Sequence, residues 1–296
     1  MLYMDDTAGV IKGGNASVYK AYDDDCLSTV VLKVSNEREG CMPGEGGYTK
    51  ATEAGCLSSS AMLRRECELL AMLAARGCSC VPKPYALRTV YAPARANVHE
   101  RMCLEMQRLE GASLADVLDE RKKPLSEFQA TYLACEIMRA AAQVQRCGVL
   151  HRDIHPGNVI LGAKGVYLID FGTACTVADA KKGDSLCLTS GYEPPEAHVG
   201  GMWSMASDVY AIARTVIYAR WRRFFSTSDE IPDTALGRWL ARCVQSDPKM
   251  RFSSCAQAAS CLEKALSRHL LLRWACSPML RRAMEWHLVA NHCGIV

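Results

Sequence analysis

Alternation of apolar and polar residues marks the first third of the chain. Over residues 9–35, Ser17-Val18-Tyr19-Lys20-Ala21-Tyr22 and Thr29-Val30-Val31-Leu32-Lys33-Val34 flank a turn at Asp23-Asp24-Asp25. This pattern predicts an antiparallel hairpin led by a glycine-containing turn. Residues 36–60 lose the alternation and gather glycine and serine (Gly40, Gly44, Gly46, Gly47, Gly55, Ser58 to Ser60), which predicts a long loop. A helical period follows from Ala61 to Arg76, with Leu63, Leu69, Leu70 and Leu73 on one side. Val81 to Met106 reads as further strands, interrupted around Ala92 to Asn97.

The character changes after Gly111. Ser113 to Glu120 and Ser126 to Cys147 carry helical periods, the second long enough for a buried scaffold helix. A short hairpin is predicted from Val159-Ile160-Leu161, the turn Gly162-Ala163-Lys164-Gly165, and Val166-Tyr167-Leu168-Ile169. From Ser207 onward the chain reads as helices near 207–219, 234–245 and 254–269, with no internal repeat. The expected fold class is therefore α+β, a β-rich part followed by a helical one.

Composition narrows the function classes. The 296 residues are 49% hydrophobic and 23% charged, as in ordinary globular chains, and leave room for one large domain or two lobes. A net charge of +3 singles out neither nucleic acid nor an acidic surface as partner. No apolar run approaches a membrane span, and Met1 to Asp6 lack the features of a secretory signal, so an intracellular setting (cytoplasm or nucleus) is expected. In that setting the sixteen cysteines read as reduced thiols packed as small apolar residues. The close pair in Cys78-Ser79-Cys80 is spaced too tightly for an ordinary zinc knuckle, and a redox-sensitive pair among the cysteines is the alternative reading.

Four polar features stand at strand ends or turns. In His151-Arg152-Asp153-Ile154-His155-Pro156-Gly157-Asn158, a carboxylate and a carboxamide five positions apart could take a hydroxyl proton and hold a metal. Asp170 of Ile169-Asp170-Phe171-Gly172 offers oxygen to a hard cation. Lys33 places an ammonium in an apolar strand, where it needs an anionic partner. Gly13-Gly14-Asn15-Ala16-Ser17-Val18 is a turn of small residues that lets backbone N–H groups approach phosphates. Singly each has a bland explanation: a hairpin turn, an edge-strand lysine, a common tripeptide.

In this order and spacing the four together resemble the eukaryotic-type protein kinase family, across about residues 8–268. The resemblance implies a bilobal fold, with a β-rich N-lobe over 1–106, a hinge at 107–111, a helical C-lobe over 112–268 and a helical tail over 269–296. It implies Mg²⁺-dependent transfer of the γ-phosphoryl of ATP to Ser/Thr hydroxyls of a protein substrate. Asp153 would be the catalytic base, Lys33 the lysine on the α- and β-phosphates, and Asn158 and Asp170 the Mg²⁺ ligands. Glu66 would pair with Lys33; Glu68 is the rival, disfavoured because Leu70 and Leu73 suit a register counted from Glu66. Ile11, Gly13, Gly14, Ala16 and Val18 would cover the nucleotide with Val31, while gatekeeper Met106 and the backbone of Gln107 to Leu109 would face adenine. Glu196, before which Pro194 replaces the family's usual alanine, would pair with Arg251, and Asp208 would anchor the catalytic loop, all three structural. Because Arg152 precedes Asp153, a phosphorylated segment between 173 and 191 is expected, with Thr176 and Ser185 ahead of Thr189.

Three departures stand out. Ile11 and Ala16 occupy places usually glycine. His155 replaces the lysine that Ser/Thr kinases usually carry two positions after the catalytic aspartate; it would take a catalytic role as a hydrogen-bond donor. Only forty-three positions separate Asp208 from Arg251, which implies a shortened helical segment between them. A small-molecule phosphotransferase, suggested by His155-Pro156-Gly157-Asn158, and a non-catalytic pseudokinase scaffold are the rival readings. The insertion at 36–60 is expected simply to tolerate length, and the amphipathic tail to pack on the large lobe.

Overall fold

The computed structural model describes residues 2–4, 11–12, 16–23, 28–36, 58–94, 97–182, 189–198 and 202–268. The chain divides into two units: Met1–Gly77, Val81–Arg108 and Phe171–Thr173 form one, and Cys78–Cys80, Leu109–Asp170 and Ala174–Val296 the other.

The first unit is built on a six-stranded antiparallel sheet. Its strands are β1 (Leu2–Met4), β2 (Ile11–Lys12), β3 (Ala16–Asp23), β4 (Ser28–Ser35), β5 (Pro84–Ala94) and β6 (Asn97–Gln107). Their spatial order is β1-β3-β4-β6-β5, with β2 also on β3. The predicted hairpin is β3 and β4, in register from Ala16 opposite Ser35 to Asp23 opposite Ser28. Side chains alternate across β4: Val30 and Leu32 join Ala21 and Cys103 in a buried cluster, while Val31, Lys33 and Ser35 take the other face. Helix α1 (Ser59–Ala75) packs on β4, β5 and β6. Its buried positions, Ser59, Leu63, Glu66, Leu69, Leu70 and Leu73, recur at the helical period. The expected loop at 36–60 runs too long at its end, because Ser58 is the N-cap of α1, its side chain accepting the Ala61 N–H at 3.2 Å.

The second unit is helical: α2 (Leu114–Arg121), α3 (Glu127–Arg146), α4 (Met205–Trp221), α5 (Ala235–Cys243) and α6 (Cys255–Arg268). Scaffold helix α3 begins at a capping box, in which Ser126 Oγ accepts the Gln129 N–H at 3.2 Å and Gln129 Oε1 accepts the Ser126 N–H at 3.0 Å. Twelve buried residues along α3 face α4 and α6, so it is the core of the unit. Short strands escaped sequence reading: β7 (Ala112–Ser113), β8 (Val149–Leu150) and β11 (Cys175–Thr176). With β9 (Val159–Gly162) and β10 (Gly165–Leu168) they form the ladders β10-β9-β7 and β11-β8. Two residues leave no periodicity to read. At Gly111, φ is +145° and an added Cβ would sit 2.4 Å from the Leu161 carbonyl oxygen, so glycine is what lets β7 reach β9. Between α4 and α5 the described residues hold a single 3-10 turn, Ser228–Glu230. No helix among the described residues is long and apolar enough to cross a membrane.

Candidate active site

Within the first unit, Lys33 lies in mid-strand on β4, opposite Val18 of β3 and Leu104 of β6. Only 8% of its surface is exposed, and desolvating an ammonium this far requires an anion beside it. Glu66, one turn beyond Leu63 on the buried side of α1, supplies that anion. Lys33 Nζ donates to its Oε2 at 2.8 Å and its Oε1 at 3.1 Å. The rival Glu68 is exposed. Glu66 Oε1 also accepts the N–H of Phe171 at 3.1 Å, within the same unit. One carboxylate thus holds both the strand lysine and the backbone immediately after Asp170.

Other residues expected at the nucleotide fall on the same sheet. Ile11 belongs to β2 and pairs with Val18. Ala16 is buried, Val18 and Val31 are half-buried, and Met106 is opposite Val31. Gln107 clamps Lys83: its N–H donates to the Lys83 carbonyl at 2.8 Å, and its Oε1 accepts the Lys83 N–H at 3.3 Å. The chain passes from a segment of the first unit, ending at Arg108, to one of the second, beginning at Leu109. Gly13 and Gly14 lie outside the described residues, as do Ser185, the 37–57 part of the insertion and the 269–296 tail.

In the second unit, residues 151–158 form a loop between β8 and β9 whose backbone is held from below. Asp208, 1% exposed in the first turn of α4, accepts the N–H of His151 (Oδ2, 3.2 Å) and of Arg152 (Oδ1, 3.0 Å). Burial pushes its carboxyl pKa upward, and those backbone donors oppose the shift. Thr215 Oγ1 donates to the Ile154 carbonyl at 3.1 Å. Arg152, at φ +69°, and Asp170, at φ +63°, both take the left-handed backbone that side chains avoid. Two strained positions, one next to a functional candidate and one on it, mark where the surrounding structure overrides local preference.

Asp153 is positioned by its neighbours. Its N–H donates to His151 Nδ1 at 3.4 Å, which leaves the other ring nitrogen to donate to the Ile169 carbonyl at 3.0 Å. Its Oδ1 accepts the Thr189 N–H at 3.3 Å, and its Oδ2 lies 3.8 Å from His155 Nε2. His155 Nδ1 accepts the Gly157 N–H at 3.2 Å, which leaves the proton on Nε2, toward Asp153. Burial lowers the His155 pKa, and the Asp153 carboxylate only partly offsets it. A Cβ on Gly157 would lie 2.8 Å from the imidazole, so glycine here makes room for the ring.

Asn158 Nδ2 donates to the Asp153 carbonyl at 2.9 Å, and its own carbonyl accepts the Ile169 N–H at 3.1 Å. The side-chain amide thus donates through Nδ2, and its oxygen is the atom that a cation would take. An amide oxygen and the Asp170 carboxylate make a hard, oxygen-only donor pair. No group of three or more His, Cys, Asp or Glu side chains able to hold a metal occurs among the described residues. Two oxygen donors therefore fit Mg²⁺, which keeps water and phosphate in its other positions, and do not fit a zinc cage.

Past this loop, Glu196 accepts from Arg251 Nη1 and Nη2, both at 2.8 Å, and from Ser207 Oγ at 2.7 Å. Thr176, expected as a phosphorylation site, is engaged: its Oγ1 donates to Asp179 Oδ2 at 2.7 Å and accepts the Asp179 N–H at 3.2 Å. Sequence reasoning missed His151, Gln145 and Thr215, and it read Gly157 only as part of the turn. Gly157 was spaced to be found, two residues after a histidine. Gln145 and Thr215 act on partners about sixty positions away and leave no local pattern.

The description "Protein kinase domain" matches residues 9–238, well over half of the chain. A serine/threonine-protein kinase drp72 of Corynebacterium efficiens is 32% identical over 210 residues, 68% of this chain and 38% of that protein. PknL of Mycobacterium tuberculosis is 27% identical over 208 residues, 69% and 46% of the two chains. A putative cyclin-dependent kinase F-2 of Oryza sativa is 28% identical over 194 residues, 64% and 53%. The matched stretch thus covers only about a third to a half of these relatives' own length. With the β-rich and helical units, the Lys33–Glu66 pair and the Asp208-braced loop, the match over 9–238 establishes that this chain belongs to the protein kinase domain family.

Proposed function

We propose that the chain transfers the γ-phosphoryl of Mg-ATP to serine or threonine hydroxyls of a protein. The observation that carries this reading is the double hydrogen bond from buried Lys33 to Glu66, whose Oε1 also takes the Phe171 N–H. A lysine kept charged by a carboxylate can neutralise triphosphate charge without losing its own proton. A pseudokinase scaffold gives no reason to retain this pair alongside Asp153, Asn158 and Asp170.

The division of labour follows from the chemistry of each group. Asp153 orients the acceptor hydroxyl and receives its proton; the Thr189 N–H donates to its carboxylate, with the His155 Nε2–H nearby but beyond hydrogen-bonding distance. His155, at 3.8 Å, serves as a neutral donor in place of a lysine. Asn158 and Asp170 hold the metal, which when bound spreads the charge of the transferring phosphoryl group. Ile11, Gly13, Gly14, Ala16, Val18 and Val31 cover the nucleotide, and Met106 to Leu109 face its adenine. The residues at 107–111 are the hinge between an N-lobe ending at 106 and a C-lobe over 112–268, followed by the 269–296 tail. Serine or threonine rather than tyrosine is favoured by Thr189, whose backbone already contacts Asp153.

The test is transfer of ³²P from Mg-[γ-³²P]ATP to casein and myelin basic protein by the whole chain. Wild type should label one of them, Asp153→Asn should lose about 10²–10⁴-fold in rate, and Asp170→Ala should abolish metal-dependent transfer. Labelling unchanged in both variants would overturn the assignment. ATP binding without transfer to any protein, peptide or small hydroxyl acceptor would favour the scaffold reading.

A further inference from the structure

One motif remains that the phosphotransfer machinery does not use. Cys78-Ser79-Cys80 follows α1 and belongs to the second unit, where it lies on the end of α3. The two sulfurs stand 3.5 Å apart. Cys80 Sγ also lies 3.2 Å from the Ala140 carbonyl, to which its S–H donates, and Ser79 Oγ donates to Gln143 Oε1 at 3.4 Å. Cys147, the C-cap residue of α3, reaches the Cys78 sulfur as well. The three thiols converge although Cys147 is distant in sequence. Several buried cysteines elsewhere serve as small apolar groups: Cys103 is pushed up to about 11 by burial, and Cys243 and Cys255 well above the usual thiol range.

We propose that Cys78 and Cys80 form an oxidation-sensitive dithiol, in which Cys78 is attacked by a hydroperoxide and Cys80 resolves the product as an intramolecular disulfide. The Cys78 sulfur attacks one peroxide oxygen and the O–O bond breaks. With hydrogen peroxide, one water leaves and Cys78 becomes a sulfenic acid. The Cys80 sulfur then attacks that sulfur, forms the S–S bond and expels the hydroxyl, which departs with the Cys80 proton as a second water. Two thiols lose two electrons in all, and one peroxide gains them.

The roles follow from the surroundings. Cys78 is lowered to about 7, chiefly because the Cys80 S–H can turn from Ala140 and donate to its sulfur, with Cys147 and Arg146 assisting. Cys80 is pushed upward by the same hydrogen bond and by burial, so it keeps its proton. Cys78 is therefore the thiol that ionises first and meets the oxidant. Cys78 is buried, with 7% of its surface exposed, so any oxidant that reaches it must be small, which favours a hydroperoxide over a bulky disulfide.

The dithiol also occupies a consequential place. The Cys80 carbonyl accepts the Leu168 N–H at 2.8 Å, two residues before Asp170. Closing the Cys78–Cys80 ring withdraws the Cys80 thiol from Ala140 and bends the segment that holds Leu168. An effect on phosphotransfer rests on the function proposed above; formation of the disulfide does not.

The experiment treats the whole reduced chain with one equivalent of hydrogen peroxide, blocks remaining thiols with iodoacetamide and maps tryptic peptides by mass. The peptide covering residues 77–88 should lose two hydrogens and refuse iodoacetamide, then accept two alkyl groups after reduction. Cys80→Ser should stop at a sulfenic acid on Cys78 that dimedone traps. The proposal is overturned if both thiols stay alkylatable while exposed Cys261 oxidises, or if Cys78 is found joined to the peptide beginning at Cys147. Wild-type mapping decides the matter even if the serine variant misfolds, and it needs no kinase activity.

Discussion

At position 155 a neutral imidazole stands where the resemblance leads one to expect a permanent cation, and its protonation has a thermodynamic signature. Burial holds the His155 pKa below its usual 6.5. As pH falls through that value the unfolded chain takes up a proton here that the folded chain refuses. The group's contribution is present above about pH 6.5 and is lost as pH falls toward the folded value. Wild-type stability minus that of His155→Gln should therefore grow from pH 5 to pH 7, by at most about 1.4 kcal/mol per pH unit. Urea melts at pH 5, 6 and 7 measure it; a difference that is flat, or larger in acid, would contradict this account. Position 155 was legible as a departure because it sits at a fixed offset from Asp153. Its tautomer was not, because that depends on the Gly157 N–H and on the space glycine leaves for the ring.

Among the elements, long periodic segments could be read and two-residue ladders could not. The alternation in Thr29 to Val34 is enough to put Lys33 on the face away from Val30 and Leu32, and the α1 period is enough to bury Glu66. β7, β8 and β11 have no such pattern, since each exists only because a partner strand is already in place. Gly111 is the clearest case: its φ of +145° and the 2.4 Å approach of a would-be Cβ to Leu161 O are imposed by β9. Gly111→Ala should cost about 1–3 kcal/mol through strain at that φ, read as a lowered Tm, whereas Gly165→Ala meets no atom within 4 Å and carries the backbone strain alone. If the two substitutions lower Tm equally, the close approach of β7 to β9 is not what selects glycine at 111.

At the scale of the whole chain, the second unit depends on a few buried polar groups that join distant segments. Arg251, 2% exposed, makes both ends of its guanidinium fork available to Glu196 and donates to the Ala206, Gln245 and Ser246 carbonyls besides. Removing it strands a buried carboxylate, so Arg251→Met should destabilise by about 3–5 kcal/mol, and Glu196→Gln with Arg251→Met should recover part of that loss in chemical denaturation. A double variant no more stable than the single would show that the cost lies in the carbonyl contacts instead. These couplings span tens of residues, which is why Gln145 gave no sign of its role in the sequence. Its Nε2 donates to Met205 O, and its Oε1 accepts the Cys255 N–H at 2.9 Å, so one amide ties the starts of α4 and α6 to α3.

That amide bears on where a minimal folded fragment can be cut. The match to the protein kinase domain runs over residues 9–238, ending ahead of Trp239, Arg251 and Cys255. A fragment trimmed there would retain Glu196, Asp208 and Gln145 but discard the guanidinium and the helix start that complete them. The working border of the folded unit thus lies at least as far as α6, well past the last residue of that match.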